Sequence, residues 1–452
     1  MRSIKRLALS VGLLGFFLAP AYAQQTLSMG LEDCIEYALE YHSEVKNKQL
    51  DAYNAKAKVG ETRSAGLPQL NFNMAMNGNP NIQPAVFPNE KGTPFYDKDA
   101  GDKLVIPFGV AYDGSARFSA SQLLFDGSYI VGLMAARTYR ELADKELVQT
   151  RIDRVEAVKK AFYLVLVNQK SLASFESNVN RLRKLAEETE AMLEQGLVDE
   201  TDLDRLKVNY NNSLSQRNNA ARGLELSYWL LKYHMAMPQD CELSLEGEFS
   251  EAAIVDESDL LTDDFDFSDR VEIQLLQVNA DLAKLSLRQY QVQYLPKLEL
   301  VAGAGYSSGA NSLGKLLGER WYWSSVVGMK LTMPIFDGLR KHYQIRQARF
   351  GQEKISNQKE FLEQGITVEI QQARNALLDN KETLEVSRQN MKLAEKVFTR
   401  TKAKYQAGLG SNLEVVQADD DFRQAETVYF NSLYQAILAR ISLEKATGKL
   451  YK

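Results

Sequence analysis

Three histidines, His42, His234 and His342, are the entire imidazole content of a chain of 452 residues. They stand too far apart for a metal-ligand or triad spacing. Two cysteines, Cys34 and Cys241, are too few for a Cys-rich metal site. In an oxidising compartment they could pair or persist as separate thiols. Gly303-Ala304-Gly305 falls in an alternating, strand-like segment with no phosphate-binding helix behind it, so it is no dinucleotide fingerprint. Asp263, Asp264, Asp266 and Asp269 crowd a stretch, 239–269, that has no basic residue. The Asp and Gly spacing of a calcium loop is missing there, and a solvated linker is the expectation. No catalytic constellation emerges, and neither enzyme activity nor a cofactor is expected.

Composition narrows the field further. Hydrophobic residues are 45% and charged residues 25%, as in folded globular chains, and the net charge is −5. A slightly acidic balance offers nothing to nucleic acid. A mean hydropathy of −0.32 excludes a bundle of membrane-spanning helices. The first 23 residues read as an export signal: basic Arg2, Lys5 and Arg6, an apolar run from Leu7 to Ala19, and a small-residue cleavage site at Ala21-Tyr22-Ala23.

The elements behind these residues are written twice. Leu67-Pro68-Gln69-Leu70 returns as Leu295-Pro296-Lys297-Leu298. Leu124-Phe125-Asp126-Gly127 returns as Ile335-Phe336-Asp337-Gly338, and Gln195-Gly196-Leu197 as Ala407-Gly408-Leu409. Each copy of about 200 residues, far longer than a solenoid repeat, reads helix, two strands, long helix, turn, long helix. The first helices, 30–66 and 269–294, must end at Leu-Pro, because a residue before proline is pushed out of the helical region. Period-2 alternation predicts strands over 70–76, 110–121, 298–307 and 321–333, each with one apolar face. A proline-rich loop is expected over 77–108 and a shorter Gly/Ser-rich one over 308–320. No proline interrupts 108–237 or 335–452. The stretch 133–195 also lacks glycine and would approach ~95 Å as one helix, with an apolar stripe at Leu147, Ile152, Val155, Val158, Phe162 and Leu166. Return helices are expected over 201–236 and 413–447.

Ten-residue alternating strands with aromatic ends fit a membrane β-barrel. Two hairpins cannot close one, since a barrel needs about eight strands and open edges are not tolerated in lipid. The chain must therefore associate with copies of itself. Three copies supply twelve strands, and the helices then form a tube beneath them: a conduit.

These duplicated motifs together resemble TolC-like outer-membrane factors, from about Leu31 to Gly448. The resemblance implies an internally duplicated α plus membrane β-barrel fold, with a twelve-stranded barrel in a trimer, four strands per chain, on a long α-helical periplasmic barrel. It implies a signal peptide over 1–23, N-terminal periplasmic helices over 24–66 and a first barrel hairpin over 67–126. A first long helical pair over 127–237, an acidic equatorial linker over 238–268 and a helix over 269–295 follow. The second barrel hairpin takes 296–337, and the second long helical pair with the C-terminus takes 338–452.

The implied function is a passive exit duct of tripartite efflux or type I secretion in the outer membrane of a Gram-negative bacterium. Its implied partners are itself, a periplasmic adaptor (membrane fusion protein), an inner-membrane transporter and outer-membrane lipid. The resemblance also implies that the duct is gated at its periplasmic helical tips, a closed entrance that must open, and places this gate and the adaptor-docking tips at Gly196, Leu197, Thr201 and Asp202 and at Tyr405, Gly408, Leu409, Gly410, Glu414 and Gln417. Asp202 and Tyr405 match the acid and phenol of a family gate network. Gly410 replaces its arginine, so the ionic tie there is missing. Glu414 matches a carboxylate that narrows the entrance in threefold repeat, and Gln417 replaces a second acid. Asp113, Arg117, Glu299 and Lys330 are the expected barrel-lumen residues of a wet, mixed-charge channel. A periplasmic coiled-coil adaptor or scaffold without a pore is the alternative.

Overall fold

The computed structural model describes residues 27–92, 96–99, 101–247 and 265–451. The expected signal peptide, and Asp263 and Asp264 of the acidic linker, lie outside the described residues. In chain order the elements are β1 (Leu27–Met29), α1 (Leu31–Tyr41), α2 (Ser43–Ser64), β2 (Gln69–Gly78), β3 (Pro84–Pro88), β4 (Lys103–Pro107), β5 (Tyr112–Phe125), α3 (Gly127–Glu194) and α4 (Glu200–Met235). There follow β6 (Leu243–Leu245), α5 (Val271–Val292), β7 (Lys297–Ala310), α6 (Leu313–Gly318), β8 (Tyr322–Thr332), α7 (Arg340–Gln406) and α8 (Asn412–Ala446). The chain divides into two compact units.

One unit comprises Glu44–Ile152, Thr262–Gln372 and Ala446–Lys452. Its centre is an antiparallel sheet in the order β2-β5-β7-β8. The register aligns Phe72 with Phe118, Phe118 with Ala304, and Tyr306 with Trp323. Since directly opposed residues share a face, Leu70, Phe72, Met74, Met76, Phe118, Leu300, Tyr306, Trp323, Val327, Met329 and Leu331 form one apolar face. That face is open: Leu70, Val327 and Met329 are 70%, 76% and 72% exposed. Among the described residues the outer edges of β2 and β8 have no partner strand. A bulge between Leu123 and Phe125 lengthens β5 beyond its expected end and brings Phe125 opposite Leu298.

Each Phe-Asp-Gly starts a long helix through its aspartate. Asp126 Oδ1 accepts the backbone N–H of Ser128 at 2.7 Å and of Tyr129 at 3.3 Å, the work of an N-cap. Asp337 Oδ2 accepts the N–H of Lys341 at 3.3 Å and pairs with its ammonium at 3.0 Å. The two glycines differ in their reason. Gly338 has φ +67°, whereas a Cβ on Gly127 would stand 2.9 Å from Val292 Cβ.

The structure corrects three expectations. The first helix is not continuous over 30–66: His42, at φ −68° and ψ 131°, separates α1 from α2, although no glycine or proline marks the break. The stretch 77–108 is not simply loop, because β3 and β4 pair from Pro84 opposite Pro107 to Pro88 opposite Lys103. Prolines are tolerated there because they occupy strand ends, leaving Val86, Val105 and Ile106 to pair between them. The stretch 308–320 holds the last residues of β7 and the short α6.

The other unit comprises Met1–Ser43, Asp153–Leu261 and Ala373–Lys445. β1 pairs in parallel with β6, Leu27 opposite Leu243, a contact that two three-residue segments do not announce in sequence. Beside them Cys34 and Ala38 of α1 pack with Val158, Phe162, Val165 and Leu166 of α3 and Leu231 and Met235 of α4. The apolar stripe expected on α3 is thus buried from Val155 to Leu166, while Leu147 and Ile152 are half-buried. Cys34 and Cys241 are free thiols. Burial, with Asp33 and Glu32 adding, pushes the Cys34 thiol up to about 12, which makes it inert.

Candidate functional site

The second unit ends in two helix–turn–helix turns, and both close in the same way. Gly196 has φ +72°; its N–H donates to Leu193 O at 2.9 Å, and Leu197 N–H donates to Met192 O at 2.9 Å. Gly408 has φ +71°; its N–H donates to Tyr405 O at 2.9 Å, and Leu409 N–H donates to Lys404 O at 2.9 Å. This paired 5→2 and 6→1 pattern is a Schellman cap, and its left-handed position favours glycine. The leucine after each glycine projects outward, Leu197 65% and Leu409 81% exposed.

Of the remaining expected tip residues, Thr201, Glu414 and Gln417 are exposed, Asp202 is half-buried and Tyr405 is buried. Asp202 and Tyr405 do not hydrogen-bond one another among the described residues. The Tyr405 hydroxyl lies 3.3 Å from Thr189 Oγ1 of α3, and the Asp202 carboxylate faces Arg205 at 3.7 Å. The backbone carbonyl of Asp202 accepts the side-chain amide of Asn412, and Gln406 donates to Glu188 at 2.7 Å. Gly410 lies against the end of α7, where an added Cβ would meet Tyr405 N at 3.3 Å. Glu414, Gln417 and Asp421 share one exposed face of α8 at i, i+3 and i+7, with Gln417 donating to Asp421 at 3.1 Å.

Below the apolar layer of Leu185, Leu206, Phe398, Tyr405, Val415, Ala418 and Phe422 lies a polar layer that sequence reasoning missed. Asp419 is 0% exposed and its Oδ2 is 3.1 Å from Arg423 Nε. Arg423 donates to Gln216 Oε1 at 2.7 Å and to Asn209 Oδ1 at 3.1 Å. It also pairs with Asp420. Asn209 donates to Asp419 at 3.3 Å. The Arg181 guanidinium lies 5.6 Å and 5.2 Å from the ring centres of Phe398 and Phe422 and donates to Asn178 at 3.2 Å. Burial raises the Asp419 carboxyl above its ordinary value, with Arg423, Arg181, Asn209 and Asn178 acting against it. A signal was present: Asp419 stands four residues after Val415, on the apolar stripe of α8, where a charge is out of place.

In the first unit, the structure places Asp113, Arg117, Glu299 and Lys330 together on the sheet face opposite the apolar one. Asp113 accepts the amides of Asn77 at 2.9 Å and Asn79 at 2.8 Å. Arg117 donates to Ser324 Oγ at 3.4 Å. Glu299 lies opposite Lys330 and pairs with Lys297 at 2.7 Å. Among the described residues no group of His, Cys, Asp and Glu is placed to hold a metal ion. No described helix is long and apolar enough to cross a membrane.

Residues 268–449 match the family described as outer membrane efflux protein. The chain is 23% identical over 393 residues to the outer membrane protein TolC of Vibrio cholerae, covering 87% of this chain and 84% of the relative. It is 21% identical over 420 residues to the TolC of Escherichia coli, covering 90% and 80%. Among solved structures, the outer membrane protein VceC from Vibrio cholerae shares the fold with a TM-score of 0.70 at 16% identity, over 92% of this chain and 96% of that one. The Campylobacter jejuni CmeC outer membrane channel superposes with a TM-score of 0.68 at 15% identity, over 93% and 86%.

Proposed function

We propose that this chain, whose residues 268–449 match the outer membrane efflux protein family, acts as one of three identical subunits of a passive exit duct. It is a TolC-like outer-membrane protein, similar over most of its length to curated outer-membrane relatives. The observation that carries the duct is the sheet β2-β5-β7-β8: one open apolar face, one polar face bearing Asp113, Arg117, Glu299 and Lys330, and two edges left unpaired among the described residues. An apolar face of that size belongs against lipid, and in lipid the edges must be paired. Three copies pairing β8 of one with β2 of the next leave no edge and turn the charged face to the lumen.

Exposed apolar stripes on the helices support the same association. On α4, Leu226, Trp229, Leu230 and Tyr233 recur at i, i+3, i+4 and i+7, and on α7, Val386, Leu393 and Val397 recur at helical spacing. A second copy supplies the cover that each stripe lacks among the described residues of its own chain. The Gly196-Leu197 and Gly408-Leu409 turns then serve as docking points for a periplasmic adaptor that joins the duct to an inner-membrane transporter. The face of Glu414 and Gln417 lines the entrance, where a threefold ring of carboxylates favours cations.

The test is direct. Purified protein should run as an SDS-resistant oligomer that collapses to monomer on heating, and should form channels in planar bilayers. A heat-insensitive monomer without conductance would instead identify a periplasmic scaffold.

A further inference from the structure

The connection between β7 and β8 does not stay at the rim of the sheet; it folds back over the apolar face. Leu316 of α6 is 0% exposed, and a Cβ added to Gly114 would stand 2.8 Å from the Trp321 ring and 3.5 Å from Leu316 Cδ2. Gly114 lies opposite Met76 and Ser308, so it belongs to the apolar face of β5. Ser308 Oγ donates to the Arg320 carbonyl at 3.1 Å and fixes the return of the loop. The rest of α6 is turned away from the sheet. At about 100° per residue, Leu313 and Leu317 share one flank, and both are more than half exposed. Lys315 stands on the other flank. Between the flanks Gly314 and Gly318 face outward, and nothing lies within 4 Å of a Cβ added to either.

Depth decides what this element meets. The helices α2, α3, α5 and α7 all join the sheet at its other end, so in the duct reading α6 lies at the outward end. From Leu331 to Trp323 the apolar face of β8 runs about 27 Å along the strand. At a barrel tilt of about 40° that is a height of about 20 Å, against a lipid-facing band of about 25 Å. Trp321 and α6 therefore stand at the top of the band, where the headgroups begin. The loop 308–321 carries two cations, Lys315 and Arg320, and one carboxylate, Glu319. All three are exposed, and among the described residues neither cation has a carboxylate partner. The Arg320 guanidinium rests 6.0 Å from the centre of the Tyr322 ring. Leucines on one side and cations at headgroup depth make an interfacial anchor, and lysine and arginine are the side chains that hold phosphate there.

We propose that α6 and Arg320 form a binding site for an anionic, phosphate-bearing lipid of the outer leaflet: Leu313 and Leu317 lie against its acyl chains, and Lys315 and Arg320 hold its phosphate. The proposal rests on the duct reading above. It assigns a headgroup chemistry to a face that by itself asks only for hydrocarbon. The first hairpin offers no counterpart, because β3 and β4 occupy the corresponding connection, so one site per chain is expected.

The test uses the purified full-length oligomer in a neutral detergent. The probes are diphosphoryl lipid A, the same lipid with its phosphates removed, and inorganic phosphate. Native mass spectrometry counts the lipid retained, and the temperature at which the SDS-resistant oligomer falls to monomer is read beside it. Diphosphoryl lipid A should be retained and should raise that temperature, and the other two probes at the same concentration should not. Lys315→Gln and Arg320→Gln should each weaken retention about fivefold, and the two together about twenty-five-fold. Equal retention by wild type and the double variant overturns the site. So does equal retention of the dephosphorylated lipid, which would leave acyl contact alone, and so does an equal rise with inorganic phosphate, which would mark a site for a soluble anion. If the double variant yields no heat-sensitive oligomer, the single variants decide, and unchanged retention in both again overturns the proposal. Wild type that runs as a heat-insensitive monomer without conductance overturns the duct reading and the lipid site with it, whereas a conducting oligomer that retains no lipid A overturns the lipid site alone.

Discussion

The turns at Gly196 and Gly408 are capped identically, and one helical turn further along they part company. Both use a left-handed glycine, the same two backbone bonds and an outward leucine. Beyond the first turn, α4 offers Leu203, Leu206 and Asn209 to the interior, whereas α8 offers Val415, Ala418, Asp419, Phe422 and Arg423. Duplication thus preserved what backbone geometry requires and left the side chains behind it free to diverge. The shared part suits a task done twice, such as presenting leucines to an adaptor. The divergent part suits a task done by one hairpin against the other.

The largest expected effect strikes the shared part. Gly196→Val or Gly408→Val forces a β-branched residue into the left-handed region at a cost of about 2 kcal/mol, and should nearly abolish adaptor capture in a pull-down. Equal losses at both turns uphold their equivalence; full capture by either variant removes that turn from the docking surface.

The next effect separates the hairpins. Tyr405→Phe deletes the 3.3 Å contact with Thr189, worth about 1 kcal/mol, and should raise the open-to-closed ratio about fivefold. Leu193, the residue of α3 at the corresponding place, has no hydroxyl to lose, so Leu193→Met should leave the ratio unchanged. Equal ratios in wild type and Tyr405→Phe would break the distinction.

A pH effect follows from the buried layer alone. Asp419 binds its proton more tightly while buried than it would once hydrated, because burial raises its carboxyl above the ordinary 3.8. Acidification through the window above that ordinary value therefore favours the closed state, and conductance should fall. Arg181 and Asn178 of α3, Asn209 of α4 and Arg423 and Asp420 of α8 surround the group. Glu426, raised by burial beside Ser174, Arg181 and Glu395, shifts in the same direction. Asp419→Asn should flatten part of the profile, and a profile identical to wild type would exclude Asp419 as its source.

The smallest effect concerns the exposed face of α8. Glu414→Gln should weaken block by divalent cations about threefold, as expected of a ring charge at a constriction. Unchanged block in single-channel records would remove Glu414 from the entrance.

Local rules read from the chain determined the architecture. Leu-Pro ends a helix wherever it occurs, alternation at period 2 gives a strand one apolar face, and an aspartate before a helix caps it; Pro68, Pro296, Asp126 and Asp337 all act within a few residues of themselves. Gly196 and Gly408 were legible for the same reason, since the Schellman cap is a local structure. Only the tertiary structure decided what depends on distant partners. It put Tyr405 on Thr189 rather than on Asp202, paired β3 with β4 inside an apparent loop, broke the first helix at His42 without a breaker residue, and withdrew Asp419 and Arg423 from water between three helices. A charged residue in a sequence carries no mark of how much water surrounds it; that is set by residues some two hundred positions away, which only the folded chain brings within hydrogen-bonding distance.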